Sequence, residues 1–186
     1  MHRLLLALCL LTLAFPAAAD PWLGLQFGMN RVSGDPEAFG ESVAGSGFND
    51  SNWTIGLSAG YTFNPYAGLV FGVREHDLDR TWSSLSGSSL RGRSTFAGGE
   101  LSTPVGSSVS LVGGAGLHQW DATVRRDYGG ERSESGMDMY YSGAIRFFPD
   151  ARASAELQVT RYLMDALDVD AVTLNLRWGF GGRPDY

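Results

Sequence analysis

Lysine is absent from this chain of 186 residues, and cysteine occurs once. That cysteine, Cys9, sits inside an apolar stretch from Leu4 to Phe15 that follows His2-Arg3 and precedes Ala17-Ala18-Ala19. A basic start, a short apolar centre and a small-residue end predict a signal peptide over residues 1–19. Leu8 stands where lipidation of Cys9 would need a small residue, which argues against a lipoprotein. With the leader removed no thiol remains, and disulfides and thiolate metal sites are excluded. The apolar stretch also falls short of the roughly 20 residues that a membrane-spanning helix needs. Positive charge is scarce: 14 Lys and Arg stand against 20 Asp and Glu, a net −6 that loss of Arg3 takes to −7. Such a chain binds nucleic acid poorly, so no nucleic-acid partner is expected. Residues 20–186 have the length of one domain.

The dominant positive signal is period-two alternation, which arises because successive side chains of a strand point to opposite faces. From Trp53 to Phe63 one face carries Trp53, Ile55, Leu57, Ala59, Tyr61 and Phe63, and the other Thr54, Gly56, Ser58, Gly60 and Thr62. The same pattern predicts strands over Leu23–Met29, Ala67–Val73, Arg93–Thr103, Val109–Leu117, Met137–Phe147, Ala153–Val159 and Val172–Phe180. Arg93–Thr103 is the least regular, because Phe96 shares a face with Glu100. No helix is predicted between these segments.

The connections alternate in length. Asn64-Pro65, Pro104-Val105-Gly106 and Pro149-Asp150 have the composition of tight turns. Arg31 to Asn52, His76 to Gly92 and Asp121 to Gly136 are long, polar and rich in Gly, Ser and charge, whereas Asp165 to Asp170 is short. Short turns at one end and long loops at the other describe an eight-stranded antiparallel up-and-down transmembrane β-barrel, with the N-terminus and short turns toward the periplasm.

A soluble lipocalin-like carrier would alternate in the same way, so the content of the polar face decides. That face is Gly, Ser, Thr and Gln, with Glu100, Asp138, Arg146, Glu156 and Arg177 as scattered charges of both signs. A water-facing sheet normally carries more charge, lysine in particular, so this face reads as an interior. Eight strands leave room only for side chains inside. Buried charges there must pair, which predicts a structural lumen network of Glu100, Asp138, Arg146, Glu156 and Arg177, its core being Glu100, Arg146, Glu156 and Arg177. Aromatic residues near strand ends are expected to form girdles at the lipid boundary: Phe63, Tyr66, Phe147 and Phe148 by the short turns, and Trp53, Trp120, Tyr140 and Tyr162 toward the long loops.

The leader, the hairpin from Gly60 to Leu69 and the last strand, whose alternate apolar residues end at Phe180, resemble the small outer-membrane β-barrels of the OmpA and OmpX type. The resemblance implies a Gram-negative outer-membrane location, contact with membrane lipid and lipopolysaccharide, and recognition of the last strand by the barrel-insertion machinery. Six residues follow Phe180, so either Phe180 or Tyr186 is the terminal aromatic that such a signal uses. Barrels of this type include anchors, adhesins, narrow pores and lipid-modifying enzymes, so fold alone does not assign the activity.

The sequence offers few groups with the spacing that catalysis or metal binding needs. His118 falls on the inward face of Val109–Leu117 extended, but Gln119-Trp120 departs from the His-x-Ser pattern that the resemblance to lipid A deacylase barrels would require. Gly113-Gly114-Ala115-Gly116 lies in a strand with no helix after it, which excludes a phosphate loop. Asp77-Leu78-Asp79 and Asp165 to Asp170 lack an ordered calcium-ligand spacing, and no metal or cofactor is expected. The expected function is non-enzymatic: a structural or surface-interaction barrel whose long loops face outward and meet an extracellular ligand. The Asp121–Gly136 stretch, through Arg125, Arg126 and Arg132, is the candidate binding element. A narrow pore, a lipid A-modifying enzyme and a soluble carrier are the alternatives.

Overall fold

A computed structural model of the protein describes residues 20–34, 51–77, 89–126, 130–149, 151–164 and 167–180. The predicted leader and Gly181–Tyr186 lie outside them. Eight strands follow one another: β1 (Asp20–Gly34), β2 (Ser51–Asn64), β3 (Ala67–Asp77), β4 (Ser89–Pro104), β5 (Val109–Arg126), β6 (Gly130–Phe147), β7 (Ala153–Leu163) and β8 (Leu167–Gly179). Each pairs antiparallel with the next, and β8 returns to β1 to close a barrel. Every segment that alternates in sequence coincides with one strand, and most strands run further toward the long-connection end.

Local chemistry sets the tight turns. The amide of Tyr66 donates to Asn64 Oδ1 at 2.8 Å, the short-range bond that makes Asn a turn residue. Gly106 carries a φ of 94°, a backbone state open to glycine at little cost.

The registers fix the shape. From Trp22 the paired residues run through Gly60, Val70, Gly98, Gly116, Tyr140, Tyr162 and Val169 and arrive back on β1 at Val32, a stagger of ten residues. Ten residues of stagger over eight strands incline the strands by about 40° to the barrel axis. The ten steps from Trp53 to Phe63 then climb roughly 25 Å, the height of a transmembrane barrel's apolar band.

The two faces divide as the alternation predicts. Leu25, Phe27, Ile55, Leu57, Phe71, Leu117, Leu157 and Leu176 are exposed on the outside, Leu57 at 60%. Inside, Gln26, Ser58, Arg74, His118, Glu156, Thr173 and Asn175 are buried. A water-soluble protein arranged in this way would expose its aliphatic side chains and bury its polar ones. In lipid the order is reversed and favourable, because the membrane solvates the apolar belt.

The ring of residues through Trp22 shows how the interior is filled. A Cβ on Gly60 would lie 2.5 Å from the Trp22 ring, and one on Gly116 would lie 2.8 Å from the Tyr140 ring. Glycines thus stand where large rings cross the lumen. Trp120, Tyr140 and Tyr162, expected at the lipid boundary, instead point inward, Tyr162 being 1% exposed. Strand parity decides this: on β6 the exposed neighbours Met139 and Tyr141 hold the lipid face, which leaves Tyr140 inside. Trp53 does sit outside at the expected end, as do Tyr66, Phe147 and Phe148 at the other.

The connections are shorter than expected, because strands replace much of what reads as loop. β5 and β6 carry the Asp121–Gly136 stretch as paired strands from Asp121↔Ser135 to Arg126↔Gly130, leaving 127–129 between them. β3 extends through His76 to Asp77, and β8 begins at Leu167.

Candidate functional site

The polar interior forms three tiers between the short-turn end and the long-connection end. In the first, β4, β6, β7 and β8 bring Glu100, Arg146, Glu156 and Arg177 together. Arg177 holds Glu100 with two bonds, Nη2 to Oε1 at 2.6 Å and Nη1 to Oε2 at 2.8 Å, across the barrel from β8 to β4. It also donates to Glu156 Oε1 at 3.0 Å. Arg146 donates from Nε to Glu156 Oε2 at 2.9 Å and from Nη2 to Glu100 Oε2 at 3.0 Å. Asn175 adds a bond to Glu156 Oε1, and the Trp22 ring covers the Arg177 guanidinium at 4.0 Å. Each guanidinium thus meets both carboxylates, the arrangement in which buried charges offset their desolvation.

Asp138 does not join this cluster. It lies on β6 beyond Tyr140, at the other end of the lumen, where it accepts a bond from Trp120 Nε1 at 2.7 Å. Two residues of the same parity separated by eight positions lie roughly 26 Å apart along a strand, too far for Asp138 to meet the arginine on its own strand, Arg146.

The second tier centres on Arg74, which the sequence reading missed. The alternation of Ala67–Val73, continued by three residues, places Arg74 and His76 on the inner face, and that continuation is the signal that finds them. Arg74 donates from Nε and Nη2 to Gln26 Oε1 at 3.2 and 2.7 Å. Its guanidinium lies 5.7 Å from the Phe96 ring centre and 5.3 Å from that of Tyr162.

The third tier holds two histidines against Tyr162. The His76 and His118 rings meet Tyr162 edge-on at 5.4 and 4.9 Å. His118 Nε2 donates to the Leu163 carbonyl at 2.9 Å, and among the described residues no hydroxyl nucleophile is bonded to that ring. His76 comes nearer to a catalytic arrangement, with Ser94 Oγ 3.4 Å from Nε2 and Asn30 Nδ2 3.1 Å from Nδ1. With Asn30 donating to Nδ1, the ring proton sits on Nε2, and that nitrogen cannot take a proton from Ser94. Ser94 is also fully buried, beside a cavity of about 10 Å³ that admits one water and no acyl chain.

The remaining candidates lie at the rim. Arg125 and Arg126 end β5 and Arg132 lies near the start of β6, so all three belong to a hairpin and not to a loop. Asp170, one of the loop carboxylates considered for calcium, is on β8 and is held by Arg161 through two bonds of 2.6 Å. Among the described residues no group of three or more metal-ligating side chains occurs.

Comparison with known proteins agrees with this architecture. The chain is similar to Ail, the attachment invasion locus protein of Yersinia pestis, at 18% identity and a TM-score of 0.63, covering 87% of this chain and 99% of that one. It is similar to Neisserial surface protein A at 12% identity and a TM-score of 0.69, over 87% and 99% of the two chains. The N-terminal barrel of Pseudomonas aeruginosa OprF matches at 14% identity and a TM-score of 0.59, over 86% and 97%. At such identities the likeness is one of fold. No curated relative matches the chain. A family model described as an outer membrane protein beta-barrel domain matches residues 4–180, and with the lipid-facing belt and closed eight-stranded topology in place, the chain belongs to that outer-membrane β-barrel family.

Proposed function

We propose that this outer-membrane barrel is a non-enzymatic surface-recognition protein whose binding element is the β5–β6 hairpin. The carrying observation is that β6 pairs with β7 only from Tyr140 to Phe147, while it pairs with β5 all the way to Gly130. On the β7 side, strand pairing of β6 ends at Tyr140 among the described residues, while its pairing with β5 continues for roughly 30 Å to Gly130. A strand edge of that length offers main-chain donors and acceptors to a ligand. Arg125, Arg126 and Arg132 add guanidinium groups suited to sulfate and phosphate. In this reading the long-connection end faces outward and the leader over residues 1–19 directs export. The apolar belt contacts lipid and lipopolysaccharide, and the final strand is read by the insertion machinery.

Ail has been seen in complex with the heparin analogue sucrose octasulfate, which makes a polyanionic saccharide the first probe. The test measures binding of sucrose octasulfate and lipopolysaccharide to the full barrel in nanodiscs, with Arg125, Arg126 and Arg132 intact or all replaced by alanine. The expected result is a loss of at least about tenfold in affinity, with heat-shifted gel mobility unchanged. Equal binding by both forms, or none by the parent protein, counts against the proposal.

A further inference from the structure

The lumen's first two tiers contain three arginines and two glutamates. Glu100 and Glu156 are shared between Arg146 and Arg177, and Arg177 occupies both oxygens of Glu100. Among the described residues Arg74 has no such partner. It is 1% exposed, its guanidinium is bonded among the described residues only to the neutral Gln26, and its flanks are aromatic rings. Arginine does not give up its proton in a protein, so a full positive charge stays inside the barrel. Asp138, another carboxylate on the inner face, is engaged by Trp120.

A cavity of about 10 Å³ adjoins this charge, with Arg74, Tyr140, Thr160, Tyr162 and the ion-paired Glu100 and Arg177 among its lining. Among the described residues, three polar atoms of Arg74, Tyr140 and Thr160 are buried without a partner: Arg74 Nη1, Tyr140 Oη and Thr160 Oγ1. All three can donate, and one can do nothing else. A buried donor left unmade is costly, and a buried cation without a counter-charge more so. A water molecule would answer the first need but not the second.

We propose that this cavity binds one small monovalent anion, of the size of a chloride ion, between Arg74, Tyr140 and Thr160. The anion neutralises Arg74 and ties β3, β6 and β7 together inside the barrel. Its binding belongs to the folded state alone, so it raises stability in proportion to the logarithm of anion concentration. The inference is independent of the rim's role in recognition.

Two measurements on the full barrel test it. The first is thermal unfolding, read by heat-shifted gel mobility, at fixed ionic strength with chloride, bromide or the bulky gluconate as the anion. Chloride and bromide are expected to raise the midpoint by several degrees over gluconate, and Arg74→Gln is expected to abolish that difference. The second is anomalous scattering from crystals grown in bromide, where a peak is expected among Arg74, Tyr140 and Thr160. Should Arg74→Gln fail to fold, Thr160→Val retains the charge and is expected to weaken the halide dependence at least about tenfold in apparent affinity. Midpoints that do not distinguish halide from gluconate overturn the proposal. So does a halide effect that survives the substitutions, or a cavity holding water with no bromide peak.

Discussion

Glu100 illustrates how unequal the charged residues of this barrel are. Its carboxylate is bound by two guanidinium groups, and Glu156 cannot by itself satisfy both. Glu100→Ala leaves an uncompensated charge in the lumen and is expected to cost about 3–5 kcal/mol of stability. The rim pair Arg161–Asp170 has bonds at least as short, but its side chains are 39% and 35% exposed. Water and salt screen it there, so Arg161→Ala is expected to leave the unfolding midpoint almost unchanged. Urea unfolding of both variants in the same lipid or detergent checks the contrast. The polar-face charges were legible in the sequence because alternation assigns each to a side. Which of them touch was legible only in part: Glu100, Arg146, Glu156 and Arg177 meet, whereas Asp138 stands at the other end of the same strand face.

Strands of this barrel are held to one register by side chains that fit against glycine. Gly116 on β5 faces the Tyr140 ring, and a Cβ there would also strike the Ala97 carbonyl of β4. Backbone on one side and a buried ring on the other cannot both yield. Gly116→Val is therefore expected to prevent closure, seen as loss of the heat-shifted gel band. Gly113, three residues earlier on the same strand, has nothing within 4 Å of its missing Cβ. Gly113→Ala is expected to fold normally. Element boundaries were the least legible feature of the sequence. β5 and β6 pair as far as Arg126 and Gly130, yet beyond the lipid belt no apolar face is required, so the alternation fades and the strands read as loop.

As a whole the molecule is a membrane-crossing cylinder packed with its own side chains. The aromatic rings of Phe96, Tyr140 and Tyr162 and the four-residue ion cluster fill its section, and the two lumen cavities are each about 10 Å³, room for one water or one small ion. No steady unitary conductance is expected in planar bilayers, since ions would have to displace bonded side chains at two tiers. A stable conducting level there would overturn this account of the interior.

The amino-acid sequence by itself determined that there are eight strands, which face of each meets lipid, and where the tight turns fall. These are local properties, set by the pleat and by turn residues. Only the tertiary structure decided the stagger of ten residues, because closure is a condition on all eight registers at once. That stagger carried the consequences that parity could not give. Glu100 on β4 meets Arg177 on β8, Arg74 is bonded to the neutral Gln26 beside a small cavity, and among the described residues the pairing of β6 with β5 runs further than its pairing with β7.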